Sequence, residues 1–330
     1  MPIARPAHGG PDGLGVPLHD FSSNSNAAGP CPAALLAVQH ADATRYPDPG
    51  YTDVRARLAA FHGVAPGRIV LAGSASEFIF RITASVARAG AHTVRLPEYS
   101  FGDCASAAQA WGLGAARDGE APALRWCCDP SSPLGQPQQD LAAAVNALDA
   151  GTTCVLDLAY EPLRLQGGLG LDAARRERVW QLWTPNKALG LTGIRAAYAV
   201  APVGAQAQVD FVESLAPSWP IGAHGVALLQ SWTTAETQRW LAASLDTLRA
   251  WKSRLIALCD ALGWRCSESV ANFFCVRPGD HDVAALCTAL RAQGIKLRDT
   301  ASFGLAGHVR LAALPPASQD ALRIAVAGVR

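Results

Sequence analysis

The chain has 330 residues, 50% of them hydrophobic and 17% charged, a balance that suits a large buried core and excludes a disordered segment. Its formal net charge is +1 and no Lys/Arg run reaches the length of a polyanion-binding patch, so a small polar ligand is expected rather than nucleic acid or a membrane surface. The length points to one large domain plus a smaller one.

Residues 1 to 32 are rich in Gly, Pro, Ser and Asn and read as an arm leading into the helix "PAALLAVQHA". The pattern then alternates: helix 52 to 62, strand 68 to 73, helix 76 to 90, strand 92 to 97, helix 100 to 112. Strand 123 to 128, helix 139 to 151 and strands 153 to 160, 178 to 183 and 196 to 202 continue it. Such alternation predicts a three-layer α/β/α domain with a mostly parallel sheet. Apolar residues at three- and four-residue steps predict a long helix over 235 to 263. The strand "NFFCVRP", the helix "DVAALCTALRAQG", the strand "HVRLAAL" and a closing helix "SQDALRIAVAGV" make a smaller α+β domain. The expected division is an arm over 1 to 36, a large domain over 37 to 225 and a small domain over 226 to 330.

The nine cysteines are odd in number and scattered, and no CxxC occurs, so free thiols in a reducing cytoplasm are expected rather than disulfides or a zinc site. "MPIARPAHGGPDGLG" has no apolar core of a signal peptide, and no run reaches the roughly 18 apolar residues of a membrane span. "GLGLDA" at 168 to 173 formally fits a dinucleotide fingerprint but follows no clear strand, and reads as a loop entering a helix. His62 and His224 are read as structural.

In open α/β sheets ligands bind outside the carboxyl ends of the strands, so the loops there carry the chemistry. "AGSAS" at 72 to 76 joins a strand to a helix with small and hydroxyl residues, either an anion cradle or an ordinary Ser N-cap. Asp157 closes an apolar strand and needs a positive partner, whether a ring nitrogen or an arginine. Lys187, in "WTPNKALGLTGIR", is flanked by small and polar residues with Arg195 close behind, the setting of a nucleophilic lysine. Anion loop, aspartate, lysine and arginine together describe a pyridoxal-phosphate site.

"HGG" at 8 to 10, "DFSSNSN", "RYPDPGY", "LAGSASEFIF", "LDLAY", "NKALGLTGIR", "NFFCV" and "HVRLAAL" occur in an order that resembles fold-type I pyridoxal-phosphate enzymes of the class I/II aminotransferase superfamily. The likeness is to the branch of histidinol-phosphate aminotransferase and threonine-phosphate decarboxylase, and spans nearly the whole chain. It implies that Lys187 carries the cofactor aldehyde, Asp157 faces the pyridine nitrogen, Tyr160 bonds the ring hydroxyl and Tyr99 stacks on the ring. Ser74, Ala75, Ser76, Thr184 and Arg195 would surround the cofactor phosphate, with Tyr46 reaching it from a partner subunit in a homodimer. Arg310, Arg298, Asn24 and His8 fall on the substrate side, for a small amino-acid or amino-phosphate substrate. Ser132, in "SSPLG", replaces the asparagine usual beside the ring hydroxyl, and Leu158 replaces an acidic residue. The "HGG" and "DFSSN" segments favour a threonine-phosphate decarboxylase, with an aminotransferase of the histidinol-phosphate type as the alternative and a decayed cofactor-binding protein as a third reading.

Overall fold

The computed structural model describes residues 8–329, so the first seven residues of the expected arm lie outside the described residues. Strand β1 (His19–Asp20) and helices α1 (Pro32–Gln39) and α2 (Thr52–His62) come first. Then follow β2 (Ile69–Ala72), α3 (Ala75–Arg88), β3 (Thr93–Arg95), α4 (Gly102–Ala110), β4 (Gly114–Ala115), β5 (Leu124–Cys128) and α5 (Leu141–Asn146). Next are β6 (Thr153–Asp157), α6 (Ala173–Arg176), β7 (Trp180–Trp183), α7 (Pro185–Ala188), β8 (Ala197–Val200), α8 (Gln206–Ser214), α9 (Ala223–Trp232) and α10 (Ala235–Ala261). The chain closes with β9 (Arg265–Cys266), β10 (Phe273–Arg277), α11 (Val283–Ala292), β11 (Ile295–Lys296), β12 (Arg298–Asp299), β13 (Val309–Ala312) and α12 (Pro316–Ala327).

Seven strands form one sheet in the order β2-β8-β7-β6-β5-β3-β4, parallel except for β8, which runs against both neighbours. Alternation along β2 shows why helices cover both faces. Ile69 and Leu71 enter a core with α1, α2 and α9, whereas Val70 and Ala72 enter a core with α3, α4 and α8. Helix α3 starts because Ser74 accepts the Glu77 N–H through Oγ at 3.0 Å, and it lays Phe78, Ile79, Ile82 and Val86 on the sheet.

A second, antiparallel sheet has the order β12-β13-β10-β9 and is backed by α11, α12 and the end of α10. Helix α10 buries Leu241, Ser244, Leu248, Lys252, Leu255 and Cys259, one face at helical spacing, and changes cores along the way. Leu241 and Leu248 join the core of the seven-stranded sheet, and Leu255 and Cys259 that of the smaller one. Helix α9, which straddles the expected domain limit at 225, also lies in the first of these. The arm bridges the two sheets: β1 pairs in parallel with β11, and Phe21 is fully buried in the smaller core. Among the described residues all nine cysteines are free, and no helix is long and apolar enough to cross a membrane.

Candidate active site

A cleft of about 500 Å³ opens at the carboxyl ends of the parallel strands, where the two sheets and the arm meet. A second hollow of about 580 Å³ lies at the opposite ends of β6 and β7 and holds none of the expected site residues. The cleft brings together Ser74, Ala75, Ser76, Ser132, Asp157, Tyr160, Thr184, Lys187, Arg195, Arg298, Arg310, Asn24 and His8, thirteen of the fifteen positions singled out in the sequence.

Lys187 sits in the four-residue helix α7, set by Thr184 ahead of it and Pro185 in the first helical position, where a missing N–H costs nothing. Its Nζ donates to Thr184 Oγ1 at 3.1 Å and lies 5.4 Å from the centre of the Tyr160 ring. The segment is stitched from two sides. Asn26 N–H donates to the Lys187 carbonyl at 2.9 Å and its amide to the Ala188 carbonyl at 3.0 Å, while Asn186 Nδ2 donates to the Ile194 carbonyl at 3.1 Å. The glycine after it is required as well: Gly190 has a φ of +69°, and a Cβ there would come within 3.0 Å of Pro30 Cα.

Asp157 ends β6 beside Cys128 of β5. Its Oδ1 accepts the Ala159 N–H at 2.9 Å. Burial pushes the carboxyl above the usual carboxylate range, against the opposing pull of the Lys187 charge and that hydrogen bond. A half-buried acid beside a lysine, with no arginine bound to it among the described residues, calls for a cationic partner inside the cleft.

The N-terminus of α3 presents Ala75 and Ser76 to the cleft, and Arg195 approaches the same space. Ser74 is the N-cap of this helix and also lines the cleft. Across the cleft, Arg298 and Arg310 stand opposite each other on β12 and β13, each 6% exposed. Arg310 donates to the Ser22 carbonyl at 3.0 Å, and its Nε has no hydrogen-bond partner. Arg298 donates to the Asp299 carbonyl and to Ser302 Oγ, both at 2.8 Å. Asn24 is 5% exposed, and neither its amide oxygen nor its nitrogen has a partner among the described residues, so both can serve a ligand in the cleft.

One position differs from expectation. Tyr99 does not line the cleft; its ring lies beside Gly304, and Phe101 faces the cleft instead. The strand stops at Arg95 and the chain turns before α4, with Phe101 as its N-cap, so the alternation of β3 cannot be carried on to residue 99. Tyr46, expected at the site of a partner subunit, lies outside the cleft of its own chain, 78% exposed and stacked on Trp219 at 4.4 Å between ring centres. The cleft contains residues the sequence did not single out. Gly9, Gly10, Ser22 and Ser23 of the arm, together with Phe303, complete its walls. The first four lie within the "HGG" and "DFSSNSN" motifs, which gave them no separate role; at Gly9 a Cβ would sit 2.2 Å from the Ser22 carbonyl oxygen.

Residues 123–329 match the family model of the class I and II aminotransferases. A histidinol-phosphate aminotransferase of Halorubrum lacusprofundi is 29% identical over 320 residues, covering 89% of this chain and 84% of the relative. In fold, the chain is similar to the histidinol-phosphate aminotransferase of Sinorhizobium meliloti solved in complex with pyridoxal-5'-phosphate, with a TM-score of 0.75 at 21% identity, covering 93% of this chain and 89% of that one. It is also similar to the L-threonine-O-3-phosphate decarboxylase of Porphyromonas gingivalis, with a TM-score of 0.69 at 20% identity, covering 89% and 91%.

Proposed function

The chain is a pyridoxal-phosphate-dependent enzyme of the class I and II aminotransferase family, and from that premise we propose that it transfers an amino group from a small amino-phosphate substrate of the histidinol-phosphate type to a 2-oxoacid. The observation that carries the reading is the presence of Lys187 and the half-buried Asp157 together in a cleft walled by a helix N-terminus and three arginines. The sequence relatives that match over most of both chains carry the aminotransferase name, which favours this reading over the decarboxylase expected from the arm motifs.

The residues fit the cofactor. Asp157 would hold the pyridine nitrogen, Lys187 the aldehyde, and Tyr160 with Ser132 the ring hydroxyl. Ser74, Ala75, Ser76, Thr184 and Arg195 would hold the phosphate, where helix N–H groups and an arginine favour negative charge. Phe101 takes the ring-facing place expected of Tyr99. Pyridoxal phosphate, when bound, supplies an electron sink for the carbon that bears the substrate amine. Asp157 keeps a positive charge in place beside it. Lys187, steadied by Thr184, takes the proton from that carbon and returns it elsewhere. Arg310, Arg298, Asn24 and His8 bind the anionic and polar parts of the substrate and fix its orientation, which selects the bond that breaks. Tyr46 reaches the corresponding site of a second copy in a homodimer.

The test is direct. Purified holoenzyme is given histidinol phosphate with 2-oxoglutarate and, separately, threonine phosphate, and glutamate and carbon dioxide are measured. Glutamate is the expected product. Carbon dioxide without glutamate would move the reading to the decarboxylase.

A further inference from the structure

Outside the lining of the cleft, one arginine holds carboxylates from two different loops. Arg164 Nη2 lies 2.9 Å from Asp129 Oδ2, and its Nε donates to Glu161 Oε2 at 2.6 Å. The Arg164, Asp129 and Glu161 side chains are 5%, 1% and 19% exposed, and among the described residues neither carboxylate pairs with another cation. Burial pushes the Glu161 carboxyl above its usual range, Arg164 pulls it back, and Asp129 adds to the rise. Without the guanidinium the two acids would repel each other in a poorly solvated place. Asp129 is the anchored member: its N–H donates to the Asp157 carbonyl at 3.2 Å, and its Oδ1 accepts the Gln138 N–H at 3.0 Å. It begins the loop that leads to Ser132, whereas Glu161 opens the short turn Glu161–Leu163, for which Tyr160 is the N-cap. Ser132 and Tyr160 both line the cleft.

We propose that Arg164 is a positioning residue: by tying the turn that follows Tyr160 to the anchored Asp129, it sets the Tyr160 hydroxyl against Ser132 so that both meet one oxygen of the cofactor ring. The inference rests on the reading of Tyr160 and Ser132 as the pair that holds the ring hydroxyl. A bond between two oxygens forms at about 2.5 to 3.0 Å and weakens steeply when its geometry is lost, so a small shift of either partner forfeits the contact. Serine reaches less far than the asparagine expected at this place, which tightens the demand on placement. A planar guanidinium grips two carboxylates in fixed directions, whereas lysine offers a single point charge.

The experiment measures the dissociation constant of pyridoxal phosphate by serial dilution of the holoenzyme, followed through the visible absorbance of the bound cofactor. Arg164→Lys and Glu161→Ala are each placed in the wild-type chain and in a chain carrying both Ser132→Ala and Tyr160→Phe. Glu161→Ala cuts the link to Tyr160 and leaves the Arg164–Asp129 pair, so it carries the test where Arg164→Lys does not fold. Each is expected to loosen the cofactor about tenfold in the wild-type chain and by less than about twofold in the doubly substituted chain, where the contact it sets is already gone. Unaltered affinity in the wild-type chain overturns the proposal. So does an equal loss in both chains, which marks Arg164 as structural support alone. Failure of the ring-hydroxyl reading looks different: the doubly substituted chain then binds the cofactor as tightly as wild type, and the proposal falls with it.

Discussion

An amine that moves protons must be held where the proton is, and Lys187 is held by Thr184 at its tip and by Asn26 at its carbonyl. Lys187→Ala is therefore expected to abolish borohydride-reducible attachment of the cofactor and to lower turnover by about 10²- to 10⁴-fold or more. A variant that still forms the reducible linkage removes Lys187 from the role. Arg310 offers a second test at the same scale. Its planar fork, supported by Ser22 and Phe273, would grip a carboxylate through two bonds, whereas lysine brings a single point charge. Arg310→Lys should weaken substrate binding by about 1.5 to 3 kcal/mol, roughly ten- to hundredfold in KM, with the cofactor spectrum unchanged. Steady-state kinetics beside an absorbance scan decide it, and an unaltered KM would count against the assignment.

Elements were legible where their periodicity was long. The apolar runs of β2, β5, β6, β7 and β8 and the 27 residues of α10 stand out in the sequence, and so do the loops after the strands that hold Ser74, Asp157 and Lys187. The direction of β8 does not, because a strand buried on both faces has the same composition either way. Helix α9 was unreadable for a related reason: it packs against α1, α2 and α10 and so has no clear polar face. The two-residue strands β4, β9, β11 and β12 are too short to show any period. Between α2 and β8 the structure carries a pH dependence. His62 Nε2 lies 2.8 Å from the Tyr198 hydroxyl, which also accepts from Trp232 Nε1, and burial lowers the imidazole from 6.5 to about 4, with a smaller push from Arg176. The unfolded chain takes up a proton below pH 6.5 that the folded chain refuses until about pH 4, so stability should fall as pH drops through that window. The loss from this group is about 3 kcal/mol at most, and it is absent above pH 7. Melting temperatures of wild type and His62→Gln at pH 7 and pH 4.5 check it; parallel decreases would show that another group is responsible.

At the scale of the whole molecule, Tyr46 and Trp219 form an exposed aromatic pair remote from their own cleft. As part of the proposed homodimer, Tyr46 should bond the cofactor phosphate of the partner. Light scattering is expected to give about twice the 34.5 kDa chain mass, and Tyr46→Ala should loosen the cofactor about tenfold while sparing Arg310-dependent substrate affinity. A fully active monomer would sink that arrangement. The arm has a different consequence, one that concerns how the molecule is made. Ser22 meets Arg310 across 288 positions of sequence, Phe21 accepts the Ala312 N–H, and β1 pairs with β11. A ribosome adding about 5 to 20 residues per second leaves the arm without these partners for roughly 15 to 60 seconds. The seven strands of the larger sheet are complete once residue 200 has emerged, so the end of the cleft that holds Asp157 and Lys187 can take shape while Arg298 and Arg310 are still unsynthesised. The last wall to be built during synthesis is the one with the two paired arginines, proposed to read the substrate.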